Sequence, residues 1–255
     1  TPASDIAYKA LAVNLSDLAA MGAIPKFFTL ALTLPKLDEP WLEAFSASLR
    51  LLAKKYNIDL IGGDTTKGHL SITINVTGGV KQGEALLRSS AQADDVIFVS
   101  NTIGDAALAW WQLNNGQTPS KALLSQLNTP EPQIELGKKI STIANACIDI
   151  SDGLEQDLSH ILNRSGVGAK VNLNDIPLSD EVQTHIKQTN DWCLPLSGGD
   201  DYELCFTVSP DKVVEVESLT QTLNIQLSAI GVITLEKGIK RLGDFHQECH
   251  SYQHF

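Results

Sequence analysis

Ile58-Asp59-Leu60-Ile61-Gly62-Gly63-Asp64-Thr65-Thr66 sets a short apolar run against a glycine pair and a carboxylate, the pattern of a strand over 58–61 that ends in a tight polar turn. The flanks extend the pattern. Upstream, residues 26–34 read as a strand closed by Pro35, and Asp38 with Pro40 opens an amphipathic helix lasting to about residue 56. Downstream, residues 70–77 alternate polar and apolar side chains, the period of a half-buried strand, and Gly78 and Gly79 end it. Before all of these, Ile6, Ala7, Ala10, Leu11, Leu15, Leu18 and Ala19 fall at helical spacing, with Gly22 where a helix stops. Asn14 and Asp17, three apart, project from one side of that helix.

Residues from about 80 to 95 are polar and lack a clean period, so the expected boundary divides the chain into 1–82 and 83–255. The second unit opens with a strand over 96–100, a turn at Gly104 and a helix from Asp105 through Trp110 and Trp111. A helix after Pro132, an extended piece through Ile148, a turn over 149–153 and a helix to about 163 follow. Residues 167–173, 202–208 and 225–233 read as further strands, with helical stretches between them. Alternating strands and helices predict a layered α/β or α+β build.

The 255 residues carry a formal net charge of -11 with 43% hydrophobic and 19% charged side chains, a globular composition. Such a surface repels a nucleic-acid backbone, so nucleic acid is not an expected partner. No stretch reaches the roughly 18 apolar residues of a membrane span, and no membrane association or signal peptide is expected. Cys147, Cys193, Cys205 and Cys249 are widely spaced with no C-x-x-C pair, which reads as reduced thiols in a reducing compartment. The chain starts at Thr1 and its only methionine is Met21, so Thr1 is not read as a nascent terminus.

Three segments repeat one kind of chemistry: Gly62-Gly63-Asp64-Thr65-Thr66, Asp149-Ile150-Ser151-Asp152-Gly153 and Ser197-Gly198-Gly199-Asp200-Asp201-Tyr202-Glu203. Glycines let a backbone turn tightly beside a ligand, and aspartates offer hard oxygen ligands to magnesium, which takes one or two carboxylates plus phosphate oxygens and water. An acidic protein that handles anionic phosphates needs such bridging cations or a few well-placed basic side chains. Each segment also has a plainer reading. Asp152, with Ser151 and Glu155, is equally suited to capping the following helix; Gly-Gly-Asp is common turn chemistry; Asp17 is as well explained by a simple hydrogen bond or exposure as by a ligand. His246, His250 and His254 around Cys249 match no tight zinc spacing and read as a polar tail. Trp110 and Trp111 are expected in the core or at an interface. No G-x-x-x-x-G-K-[ST] loop, protein-kinase set or G-x-G-x-x-G fingerprint is present, so any ATP site has another architecture.

The ordered segments Asn14-Leu15-Ser16-Asp17-Leu18-Ala19-Ala20-Met21-Gly22-Ala23, Ile61-Gly62-Gly63-Asp64-Thr65-Thr66, Ile148-Asp149-Ile150-Ser151-Asp152-Gly153-Leu154 and Gly198-Gly199-Asp200-Asp201-Tyr202-Glu203-Leu204 resemble the thiamine-monophosphate kinases, over essentially the whole chain. The resemblance implies the two-domain α/β fold shared with aminoimidazole ribonucleotide synthetase and selenophosphate synthetase. It implies ATP-dependent phosphorylation of thiamine monophosphate to thiamine diphosphate, with Mg2+ and ATP between the two domains, in a cytoplasmic homodimer built through the first. By matching position, Asp17, Asp64, Asp149 and Asp152 would be magnesium ligands; Gly63, Asp64, Arg88 and Ser151 would contact ATP; Glu203 and Tyr252 would line the thiamine side. The acceptor is an ionised phosphate oxygen, so no general base is required and catalysis is alignment plus charge neutralisation. The family also carries an earlier Gly-Asp-Asp metal segment and a Val-Asp stretch leading to a substrate-binding histidine, and this chain starts after both. The expectation is an incomplete metal cluster and dimer sheet, which leaves a non-catalytic ATP-binding fragment as one alternative and a related synthetase with another acceptor as the other. Ser251 stands where the family has glycine, which touches only the local turn.

Overall fold

The computed structural model describes residues 1–245 and 247–249. Helix α1 (Ala3–Ala20) buries Ala7, Leu11, Leu15 and Leu18, the spacing that the sequence pattern required. It stops at Gly22, whose φ of 67° is left-handed, and the Gly22 and Ala23 N–H groups donate back to the Ala19 and Leu18 carbonyls. Strand β1 (Ile24–Leu34) follows, then α2 (Glu39–Lys55), capped by Asp38, whose carboxylate accepts from Trp41 N–H.

Strand β2 (Asp59–Lys67) lies parallel to β1, and β3 (Ser71–Gly79) antiparallel to it, in the order β2-β1-β3. Here the structure departs from the expected turn: β2 runs straight through Gly62 and Gly63 to Lys67. The glycines serve the ladder itself. β1 and β2 slip register between Phe28 and Thr29, and at Gly63, with φ of 150°, an added Cβ would sit 1.9 Å from the Leu30 carbonyl oxygen. Likewise β3 includes Gly78 and Gly79 instead of stopping before them.

The second sheet has six strands: β4 (Val96–Ser100), β5 (Ala146–Asp149), β6 (Gly168–Asn172), β7 (Leu204–Val208), β8 (Leu227–Thr234) and β9 (Gly238–Leu242), in the order β5-β7-β4-β8-β6-β9. Only the β6–β9 pair is parallel. Strand β9 was absent from the sequence reading; it is a five-residue edge strand with exposed polar positions, too short and polar to announce itself by period. The helices of this part are α3 (Asp105–Asn114), α4 (Lys121–Asn128), α5 (Ile134–Ile140), α6 (Leu154–Ser165), α7 (Asp180–Thr189), α8 (Cys193–Ser197) and α9 (Val213–Leu223).

Alternation along β4 divides the core. Phe98 points to the α1 side and stacks on Phe206 with ring centroids 5.6 Å apart, while Ile97 and Val99 point to α6. Burying each such phenylalanine contributes about 2–3 kcal/mol. One continuous core therefore joins α1 and the first sheet to the inner face of the second. Gly137 of α5 allows the close approach, since a Cβ there would lie 2.1 Å from the Ala19 carbonyl oxygen of α1.

Candidate active site

Packing of α1 against β5 brings the first two predicted carboxylates together. Ser16 Oγ donates to Asp149 Oδ2 at 2.8 Å, which sets the next residue, Asp17, against the end of β5. Burial, followed by the charge of Asp17, pushes the Asp149 carboxyl up to about 6, and the Ser16 bond partly opposes this. Burial also raises Asp17, with the nearby Arg88 guanidinium pulling it down. Arg88 is exposed and held in place by its backbone: its carbonyl accepts from Ser165 Oγ, and the Leu87 carbonyl accepts from Cys147 N–H of β5. Two repelling carboxylates and a cation thus share one rim.

The two glycine-carboxylate loops of the second sheet lock together beside that rim. Asp200 N–H donates to the Ser151 carbonyl, Tyr202 N–H to the Ile150 carbonyl and Ile150 N–H to the Glu203 carbonyl, each at 2.8 Å. Gly153 (φ 115°) permits the contact, because a Cβ would fall 2.5 Å from Ser197 Cα. No side chain caps α6, so Asp152 does not take the capping role open to it; Asp157 Oδ2 instead ties the preceding loop, accepting from both Ser151 and Asp152 N–H at 2.9 Å. Burial pushes the Asp157 carboxyl up to about 6. Asp152 accepts from Gln156 and faces a cavity of 680 Å³ that it lines with Ser151, Trp110, Asp191, Asp200 and Tyr202. Trp110 is exposed at this wall, whereas Trp111 packs edge-on to His185. A cavity of this size with aromatic walls and carboxylates suits a flat, cationic organic ligand.

Two predicted residues stand elsewhere. Asp64 lies on the exposed strand β2, its Oδ1 accepting from Thr65 N–H at 2.8 Å, and Gly63 is committed to the β1 ladder. Among the described residues, no three His, Cys, Asp or Glu side chains group closely enough to hold an ion by themselves. Glu203 does not open into the Asp152 cavity. It is 6% exposed, accepts from Ser100, Asn101 and Gln133, and borders a separate cavity with Tyr56 and Glu131. Burial pushes its carboxyl up to about 8, against the pull of those hydrogen bonds. Asp200 and Tyr202 of the same loop line the Asp152 cavity instead. Tyr252, His246, His250 and His254 lie outside the described residues.

The cysteine reading needs correction. Cys193 of α8 is disulfide-bonded to Cys249, Cα atoms 5.1 Å apart, while Cys147 and Cys205 are free and buried. A separation of 56 residues along the chain hid a pairing that the fold creates. Cys193 itself lines the Asp152 cavity.

Comparison with known proteins converges on one family. The family models "AIR synthase related protein, N-terminal domain" and "AIR synthase related protein, C-terminal domain" match residues 1–80 and 92–243. The thiamine-monophosphate kinase of Haemophilus influenzae is 47% identical over 245 residues, covering 94% of this chain and 73% of that protein. The crystal structure of the thiamine-monophosphate kinase from Stenotrophomonas maltophilia superposes with a TM-score of 0.89 at 43% identity, covering 94% of this chain and 79% of that one. AaThiL complexed with AMPPCP and TMP superposes with a TM-score of 0.88 at 27% identity, over 100% and 82% of the two chains. The hydrogenase maturation protein HypE, at 18% identity and a TM-score of 0.79, shares the fold.

Proposed function

Because the chain belongs to the thiamine-monophosphate kinase family, we propose a division of labour among its residues for the reaction of that family. The reaction is ATP-dependent phosphorylation of thiamine monophosphate. The observation that carries the assignment is the Ser16–Asp149 hydrogen bond, which sets Asp17 and Asp149 together beside Arg88 and next to the Asp152 cavity.

Asp17, Asp149 and Asp152, with Asp64, would hold magnesium when it is bound, one or two carboxylates to an ion. The Asp149 carboxyl, raised first by burial and then by the charge of Asp17, supports this fit, because a nearby cation would offset both. When bound, magnesium neutralises the charge on the transferring phosphoryl group. Arg88, Ser151 and the Gly63 backbone orient the nucleotide phosphates, and the guanidinium suits this because its planar donors pair with phosphate in two places. The thiamine ring system lies against Trp110 and Tyr202 with Asp191 facing its positive charge. Glu203 supports that wall from beneath through its buried network. The acceptor phosphate is already ionised, so these residues bind, align and exclude water, and none has to remove a proton.

The units 1–82 and 83–255 are the two domains of the fold, and a homodimer forms through the first. Strand β2 is exposed along its whole length, and an apolar cavity of 540 Å³ lies between Phe28, Leu30, Leu42 and Phe45 beside it, which supports that reading. The enzyme works in the cytoplasm; no helix among the described residues is long and apolar enough to cross a membrane. Incubation with ATP, Mg2+ and thiamine monophosphate, followed by chromatography of thiamine diphosphate, tests the function. Absence of thiamine diphosphate from that mixture would overturn it.

A further inference from the structure

The Asp152 cavity presents three carboxylates, Asp152, Asp191 and Asp200, and no lysine or arginine lines it among the described residues. A neighbouring cavity of 660 Å³ shares Trp110 and Asp200 with it and has one basic side chain in its wall, Lys9 of α1. Lys9 Nζ donates to the Leu127 carbonyl at 2.7 Å and pairs with the Asp200 carboxylate, and it lies 5.9 Å from the centre of the Tyr202 ring. An ammonium group has three donors; two are committed here. Its side chain is 26% exposed, so it stays within reach of solvent and ligand.

What Lys9 holds is a backbone under strain. Asp200 and Tyr202 have φ of 70° and 53°, left-handed values that cost a non-glycine residue energy and persist only where neighbours over-determine them. The carbonyls of Ser151 and Ile150 fix the two N–H groups from one side, and Lys9 fixes the Asp200 carboxylate from the other. A partly exposed ion pair contributes little to folding, so fold stability alone gives no reason for a cation at this wall. The chemistry of the substrate does: a phosphate monoester entering between three carboxylates is repelled unless one is neutralised.

We propose that Lys9 is a positioning residue for the phosphorylated substrate, acting through Asp200. Its ion pair clamps the loop that carries Asp200 and Tyr202 and cancels the carboxylate charge common to both cavities, so that an anionic phosphoester is admitted to an otherwise acidic wall. This rests on the kinase reading above and adds to it a side chain on the first unit that governs substrate affinity in the second.

Steady-state kinetics of the full chain test it. Lys9→Gln is expected to raise KM for thiamine monophosphate about tenfold, with KM for ATP and kcat changed by less than about threefold. Lys9→Arg retains the charge and should stay near the wild type. Thermal melting of Lys9→Gln separates a charge effect from loss of a structural tie: the melting temperature should stay within about 3 °C of the wild type while KM for thiamine monophosphate rises. A Lys9→Gln enzyme whose KM stays within about twofold of the wild type, or a Lys9→Arg enzyme as impaired as Lys9→Gln, overturns the proposal while leaving the kinase reading intact. A wild-type chain that makes no thiamine diphosphate fails the kinase reading and removes the Lys9 role with it.

Discussion

Replacing Glu203 with glutamine tests whether that carboxyl is a buried structural acid. Its folded pKa is pushed up to about 8 from an ordinary 4.5, chiefly by burial. An acid raised in this way binds more protons folded than unfolded between those two values, so its contribution to stability is fully present below about pH 4.5 and declines as pH rises toward 8. Over a window of pH 5.5 to 8 the loss is about 1.4 kcal/mol per pH unit, or roughly 3 kcal/mol in all. The amide of Glu203→Gln has no such dependence and keeps most of the hydrogen bonds from Ser100, Asn101 and Gln133. Urea unfolding of both proteins at three or four pH values across the window measures the difference; other raised acids, Asp149 and Asp157 among them, cancel in the comparison. The wild type should lose ground to the variant steadily as pH rises. Parallel pH profiles for the two proteins would refute the reasoning, because they would mean that Glu203 titrates normally and is therefore not sealed in its network.

Asp149→Asn should lower kcat by about 10²–10³-fold, the range for loss of one electrostatic contributor, while thermal melting stays equal or improves because a buried repulsion with Asp17 is gone; a melting temperature that falls with kcat would point to a folding defect. Chelation with EDTA should abolish turnover, and added Mg2+ should restore it, read in the same chromatographic assay. Gly153→Ala places a methyl 2.5 Å from Ser197 Cα at a φ of 115° and should cost about 2–4 kcal/mol in urea unfolding; a cost below 1 kcal/mol would mean that the two loops part easily. Thiol titration in denaturant should find two reactive cysteines without reductant and four with it, and four in both would show that Cys193 and Cys249 are reduced.

Elements whose signals are local were legible in the sequence. The apolar period of α1, the Asp38 cap of α2 and the alternation of β3 are all set by neighbours along the chain, and they fall within a residue or two of their expected positions. The misreadings share one cause, a partner that the residue pattern does not mark. Gly62 and Gly63 read as a turn because the bulged β1 ladder that uses them lies 33 or so residues away. Asp152 reads as a cap because nothing in the pattern marks Asp157 as the side chain that folds back to hold the loop at residues 151 and 152. The candidate site was legible as residue types in order; that Ser16 joins Asp149 across 133 residues, or that Asp200 and not Glu203 opens into the cavity, depends on packing alone.

The wedge-like placement of α1 has a mechanical consequence. One side of this helix is rooted among β3 and α2, the other against β5 and α5, and its Lys9 and Ser16 side chains reach across to Asp200 and Asp149 of the second unit. Swinging one sheet away from the other would tear open a single seam of oil that runs from Phe28 to Phe206. The two halves therefore behave as jaws of a vice cast in one piece, and the loops at 150–153 and 198–203, tied to each other through their backbones, are held with them.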